Sequence, residues 1–255
     1  MVTICYDGSF EGFLSAVFDV YEYRFSSVRI VPTHRFQHTL IGDTHQSVTN
    51  EEHANRVLKG LKKKISTGAL NQFYSCFLSE LENIEDVLLE YVQYVFSSKV
   101  SIEYDFSHRA VMKIAETAKK VHREKHRMEA FVRFHLTKDE LYYSMIEPDF
   151  NVLPLIERHF KNRYADQRWL IYDQRRKYGL YYDLTTVNPV TLNFSAEMRD
   201  EKSVSEIHDD SEELYQQLWK LYFQSVNIKA RKNTKLHIMH MPRRYWRYLV
   251  EKGGR

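Results

Sequence analysis

Glycine and proline are scarce in this sequence, 8 and 5 in 255 residues, which excludes a collagen-like or low-complexity chain and leaves long stretches open to regular structure. Cysteine is scarcer still. Cys5 and Cys76, the only 2 present, are too few for a four-thiolate zinc site or an iron–sulfur cluster, and they supply no disulfide framework. A reducing compartment is therefore expected. No apolar run approaches the ~20 residues that cross a bilayer, and residues 1–7 lack the basic start and apolar core of a secretory signal. Motifs are missing as well: there is no Gly-rich phosphate loop, no dinucleotide fingerprint and no Ser-centred nucleophile elbow. The expectation is a cytoplasmic protein without membrane association, resident metal or cofactor.

Aromatic rings and segregated charge are what the sequence does have. With 43% hydrophobic residues, 18 Tyr and 15 Phe, the chain can bury one large core or two modest ones. The net charge of +3 is too small to indicate a partner by itself. After Ile228, however, Lys229, Arg231, Lys232, Lys235, Arg243, Arg244, Arg247, Lys252 and Arg255 face the single acid Glu251, so the end of the sequence is a cationic block. Acidic residues crowd the stretch 197–213 before it, read as a solvated loop and helix start.

The hydrophobic pattern gives an α+β chain. Residues 2–6 read as a short buried strand, Asp7-Gly8-Ser9 as a turn and residues 10–23 as an amphipathic helix. Residues 28–49 look extended and loop-like. Three helices are expected near 51–66, 69–81 and 84–97, and a longer one over 105–128 carries Val111, Ile114, Ala115, Ala118 and Val121 on one stripe. Alternation then replaces the helical period. Residues 130–136 and 141–146 read as one antiparallel hairpin, 169–172 and 178–183 as a second, with a helix at 154–163 between them and a fifth strand near 187–194. A last helix is expected at 211–226, followed by a short basic aromatic turn in which Pro242 is placed to begin a helix. The whole reads as a single family domain, divisible into a mainly helical segment over residues 1–104 and a helix-plus-antiparallel-sheet segment over residues 105–255.

Polar residues concentrate between His122 and Tyr182. Arg123, Arg127, Arg133, Arg163, Arg168, Arg175 and Arg176 stand there beside carboxylates, many at strand ends and turns. Guanidinium groups match phosphate geometry, so these residues are candidates for an anionic ligand, against the alternative of an ordinary salt-bridge network. His240-Met241-Pro242-Arg243-Arg244-Tyr245-Trp246-Arg247 interleaves cations with rings, the pairing that tracks a nucleic-acid backbone and stacks on a base; a terminal turn docked on the core explains the same residues. His126, Glu147, Asp149 and Asp166 are the candidates for acid, base or metal-ligand roles if the chain is an enzyme. Pro148-Asp149 and Asp166-Gln167-Arg168 resemble a nuclease pattern in which arginine has replaced the assisting lysine. His122 and His126 lie one helical turn apart without a third ligand marked by spacing. The loop histidines His34, His38 and His45 form no coordinating pattern either. Asp7-Gly8-Ser9 at a helix start is an anion seat or, more simply, a cap.

Several of these runs together resemble a known family. Tyr6-Asp7-Gly8-Ser9-Phe10-Glu11-Gly12, Leu58-Lys59-Gly60-Leu61, His126-Arg127-Met128-Glu129-Ala130-Phe131-Val132-Arg133-Phe134, Ile146-Glu147-Pro148-Asp149-Phe150-Asn151-Val152-Leu153-Pro154, Arg163-Tyr164-Ala165-Asp166-Gln167-Arg168-Trp169, Tyr178-Gly179-Leu180-Tyr181-Tyr182-Asp183 and His240-Met241-Pro242-Arg243-Arg244-Tyr245-Trp246 are similar to the bacterial family named "probable DNA metabolism protein". The resemblance spans almost the whole chain. It implies a DNA repair or modification context beside a radical SAM enzyme. Some longer relatives carry a uracil-DNA-glycosylase-like domain after this one, and glycosylase activity is not among the expectations for these residues. The expectation is thus an accessory that binds DNA, single-stranded or damaged, and leaves cluster chemistry to its radical SAM partner. The alternatives are an enzyme acting on DNA or nucleotides and an adaptor that binds protein alone.

Overall fold

Val2–Tyr6 forms β1, and it lies at the centre of a parallel three-stranded sheet in the order β2-β1-β3, with β2 at Val28–Pro32 and β3 at Asp43–Gln46. In the computed structural model, which describes residues 1–37, 42–138, 140–191, 238, 241–250 and 252, the chain forms two compact units, Met1–His122 and Arg123–Arg255. The segment expected to be extended and loop-like thus supplies both edge strands of the first unit's sheet. β3 reads Asp-Thr-His-Gln, with no apolar alternation, because an edge strand is held by its pairing to β1 rather than by a buried face.

Side-chain caps start the first three helices of the first unit. Ser9 accepts from the Gly12 N–H and starts α1 (Phe10–Glu22). Asn50 accepts from the N–H groups of Glu52 and His53 and starts α2 (Glu51–Lys62). Ser66 caps α3 (Thr67–Phe77), and α4 (Ile84–Ser97) follows. Each cap satisfies N–H groups that have no partner inside the helix. One core joins these elements: Ile4, Phe13, Val17, Leu61, Phe73, Leu88 and Val92 are buried in it. α5 (Arg109–Phe131) buries the expected stripe at Val111, Ile114, Ala118 and Val121, and the division between the two units falls within this helix.

The second unit is built on a five-stranded sheet in the order β4-β5-β6-β7-β8, namely His135–Leu136, Tyr142–Ile146, Trp169–Asp173, Tyr178–Tyr182 and Val187–Val190. The α+β class stands, but the sheet is mixed and not antiparallel throughout. β4 with β5, β6 with β7 and β7 with β8 are antiparallel, whereas β5 and β6 run parallel with Tyr142 opposite Trp169 and Ile146 opposite Asp173. The reason is α6 (Leu153–Arg163), which connects β5 to β6 as the crossover that parallel neighbours require. The first hairpin is also shorter than its alternation suggested, because α5 continues through Ala130 and Phe131 and leaves β4 two residues. Phe134, Phe160, Tyr164, Trp169 and Tyr182 pack ring against ring beside the sheet. The helix expected at 211–226 and the residues His38 and His240 lie outside the described residues.

Candidate functional site

Two loops leave the parallel pair side by side, Glu147-Pro148-Asp149 after β5 and Gln174-Arg175-Arg176 after β6. Asp173, fully buried at the end of β6, fixes the second loop. Its Oδ1 accepts the N–H groups of Arg175 and Arg176 at 2.9 and 3.1 Å, and its Oδ2 pairs with the Arg176 guanidinium at 2.9 Å. Arg176 then donates to the carbonyls of Pro148 at 3.1 Å and Asp149 at 3.2 Å, and Arg175 donates to the Asp149 carbonyl at 3.3 Å. The first loop is therefore held by its backbone.

A buried carboxylate lies beneath it. Glu124, in the last turns of α5, is 1% exposed, yet it accepts the Asp149 N–H at 2.9 Å and pairs with Arg127 and Arg244, each at 3.3 Å. The Tyr245 hydroxyl also donates to it. A buried charge survives only when partnered this fully. Burial, and then the bond to Glu124, pushes the Tyr245 phenol well above its ordinary range, so the ring stays a neutral donor.

Tyr245 belongs to a short 3-10 helix, Arg243–Tyr248, preceded by Pro242. Tyr245 and Leu249 are buried, which turns Arg243, Arg244 and Arg247 outward. Arg244 contacts the Tyr245 ring face, 4.6 Å from its centroid, and pairs with Asp149 Oδ2 at 2.5 Å. Arg247 lies over Tyr248, 4.7 Å from the centroid, and pairs with Glu147, which also accepts the Tyr248 hydroxyl at 2.9 Å. Arg243 and Lys252 flank Trp246, whose Nε1–H donates to the Met241 carbonyl at 3.0 Å.

Of the residues singled out from the sequence, Arg127, Glu147, Asp149, Arg175, Arg176, Arg244 and Tyr245 meet here, and Arg243 and Trp246 sit on the same turn. The others lie elsewhere in the second unit. Arg123 is exposed on α5, Arg133 donates to the carbonyls of Ala130 and Val132 at the end of that helix, Arg163 contacts Tyr164 at the end of α6, and Arg168 is exposed before β6. His126 is outward-facing and 3.8 Å from Glu129, and Asp166 is exposed in the turn after α6. Among the described residues no three His, Cys, Asp or Glu side chains are grouped so as to hold a metal ion, and no helix is long and apolar enough to cross a membrane. Sequence reasoning missed the roles of Glu124, Asp173 and Tyr248, and it placed Arg247 in the cationic run without its partner Glu147. Glu124 had a signal: it follows Val121 by three residues and precedes Met128 by four, so it is a charge placed on the apolar stripe.

The turn Asp7-Gly8-Ser9 satisfies itself. Asp7 accepts from the Ser9 N–H at 2.8 Å, from the Ser9 hydroxyl at 2.7 Å and from the Thr49 hydroxyl at 2.7 Å. Burial works to raise its pKa, but these bonds outweigh burial and hold the carboxyl below its ordinary range. In the first unit, the His122 ring meets the Ser75 hydroxyl at 3.1 Å.

Residues 82–251 match the family described as a domain of unknown function, DUF4130. The chain belongs to that family. The DUF4130 match takes in every residue of the cluster from Glu124 to Leu249 and begins just ahead of α4, leaving the parallel sheet and α1 to α3 outside it. No curated protein matches the chain.

Proposed function

We propose that this DUF4130 protein is a nucleic-acid-binding accessory of a DNA repair or modification system, with the 3-10 turn at Arg243–Tyr248 as its contact surface. One arrangement supports this reading above the others. Three arginines and two partly exposed rings are carried on a single turn whose Tyr245 and Leu249 are buried, so the cations stand on a fixed support instead of a free tail. Guanidinium groups held this way neutralise phosphates and lose little entropy in doing so, and neighbouring rings offer faces to unstacked bases. His126 and Asp166, which the enzyme reading needs beside Glu147 and Asp149, have other surroundings.

The DNA context and the radical SAM partner rest on the resemblance of the sequence runs quoted above. Co-purification with such an enzyme that survives nuclease treatment supports the partnership, and survival without any DNA affinity favours a protein adaptor. For DNA itself, the measurement is fluorescence anisotropy of a labelled oligothymidylate between about 50 and about 200 mM salt. Affinity is expected to fall linearly on logarithmic axes, and Arg243→Ala with Arg247→Ala should reduce that slope by about 0.7 per arginine for a single strand. Absence of binding at low salt removes the nucleic-acid reading.

A further inference from the structure

The arginines of the turn are not equally available. Arg244 is engaged by Asp149 as well as by the buried Glu124, and Arg247 by Glu147, while Arg243 lies against Trp246. We infer that Glu147 and Asp149 are selectivity residues that occupy Arg247 and Arg244 in place of phosphate and are displaced when a phosphodiester chain binds, an inference that rests on the nucleic-acid reading above.

The loop does not need these carboxylates for its own position. Its backbone is already fixed: the Asp149 N–H is taken by Glu124, and the carbonyls of Pro148 and Asp149 are taken by Arg175 and Arg176. Both acidic side chains are thereby free to serve the turn. Apart from Arg244 with Glu124, whose side chains are 43%/2% exposed, the ion pairs also divide by burial. Arg176 with Asp173 and Arg127 with Glu124 have side chains 9%/0% and 21%/2% exposed, and they hold the fold. Arg244 with Asp149 and Arg247 with Glu147 have side chains 43%/44% and 60%/38% exposed. Water and salt weaken pairs of the second kind, so an incoming anion can replace them. A phosphate presents the same fork of oxygens to a guanidinium as a carboxylate does.

Selectivity follows from the number of exchanges. A lone phosphate must compete with a carboxylate already tethered beside each arginine, at high effective concentration. A chain of phosphates that first meets Arg243 brings the next phosphates to Arg244 and Arg247 with the same advantage. The shielded turn therefore discriminates in favour of polyphosphodiesters over single anions.

The test is a double-mutant cycle on the full chain, read by anisotropy of the labelled oligothymidylate at low salt. Glu147→Gln keeps an acceptor for Tyr248 and removes the competing charge. It is expected to raise affinity about twofold to fivefold, the range of an exposed ion pair, and to do nothing in an Arg247→Ala background. Asp149→Asn is the second, independent variant, with a rise of similar size. Glu140→Gln with Glu157→Gln changes the net charge elsewhere on the second unit and should leave affinity nearly unchanged. A wild-type chain that binds in a salt-dependent way while Glu147→Gln and Asp149→Asn are neutral overturns the shielding and leaves the binding surface standing. The same gain from Glu147→Gln with and without Arg247 also overturns it, because a general charge effect is then sufficient. No binding by wild type or by any variant removes both readings together.

Discussion

Glu85 and Tyr6 form a buried pair in the first unit, apart from the candidate site. The Tyr6 hydroxyl donates to Glu85 Oε1 at 3.1 Å, and Glu85 is only 5% exposed. Burial raises the Glu85 pKa above its ordinary value of 4.5, and the bonds it accepts offset that cost incompletely. The folded state thus holds this proton more tightly than the unfolded state does. Its contribution to stability is fully present below about pH 4.5 and is lost as pH rises through the folded pKa of Glu85. Asp7 and Asp183, whose pKa values are lowered, act in the opposite direction, so the total pH curve does not isolate Glu85. Comparison with Glu85→Gln does. The melting temperature of the variant, relative to wild type, is expected to rise between acid and neutral pH; a difference that stays flat with pH refutes the assignment. At this scale Glu124 and Glu85 were both visible as charges within helical stretches, but a sequence does not say which partner neutralises a buried acid. Tyr245 is 121 residues from Glu124 and Tyr6 is 79 from Glu85, distances over which local pattern carries no information.

The start of α1 shows how an element depends on one position. Glycine within a helix is ordinarily worse than alanine by about 1 kcal/mol, so Gly12→Ala would stabilise an isolated α1. Here a Cβ at residue 12 would lie 2.1 Å from Asp7 Oδ1, 2.8 Å from the Thr49 hydroxyl and 2.9 Å from the Ser9 hydroxyl. The Ser9 and Thr49 hydroxyls both donate to the Asp7 carboxylate, and moving these groups breaks the cap. Gly12→Ala is therefore expected to destabilise the chain by about 1–3 kcal/mol, the usual cost of overpacking, seen as a lower urea midpoint; an unchanged or higher midpoint refutes the close approach. Elements with strong local patterning were legible in the sequence: β1, α1 and α4 stand within a residue or so of where the pattern puts them. β2 and β3 were not, because their identity comes from pairing with β1. The parallel joining of β5 to β6 escaped for a related reason. Each hairpin has a local signature, but how two hairpins meet is set by the connection between them, and α6 was the clue.

At the scale of the whole molecule, the candidate site was half legible. The arginines near the sheet and the cationic turn were visible as groups, but not that some meet and others do not, nor that acids occupy the turn. Sequence kinship and structure also divide the chain differently. The DUF4130 match begins at residue 82, yet Ile84, Leu88, Leu89, Tyr91, Val92 and Val95 of α4 are buried in one core with Ile4, Phe13, Leu61 and Phe73. A fragment of residues 82–251 keeps α4 and loses the partners of its apolar face. Exposing a side chain of this size costs about 1.5–3 kcal/mol, and six of them on one helix together rival the marginal stability of a domain, about 5–15 kcal/mol. This fragment is expected to bind a hydrophobic dye such as ANS and to self-associate on size exclusion, whereas the full chain should elute as a discrete species without dye binding. A fragment that is monomeric, dye-silent and cooperative in unfolding would mean that α4 has no need of the parallel-sheet core. The matched region would then be self-sufficient and residues 1–81 an addition to it.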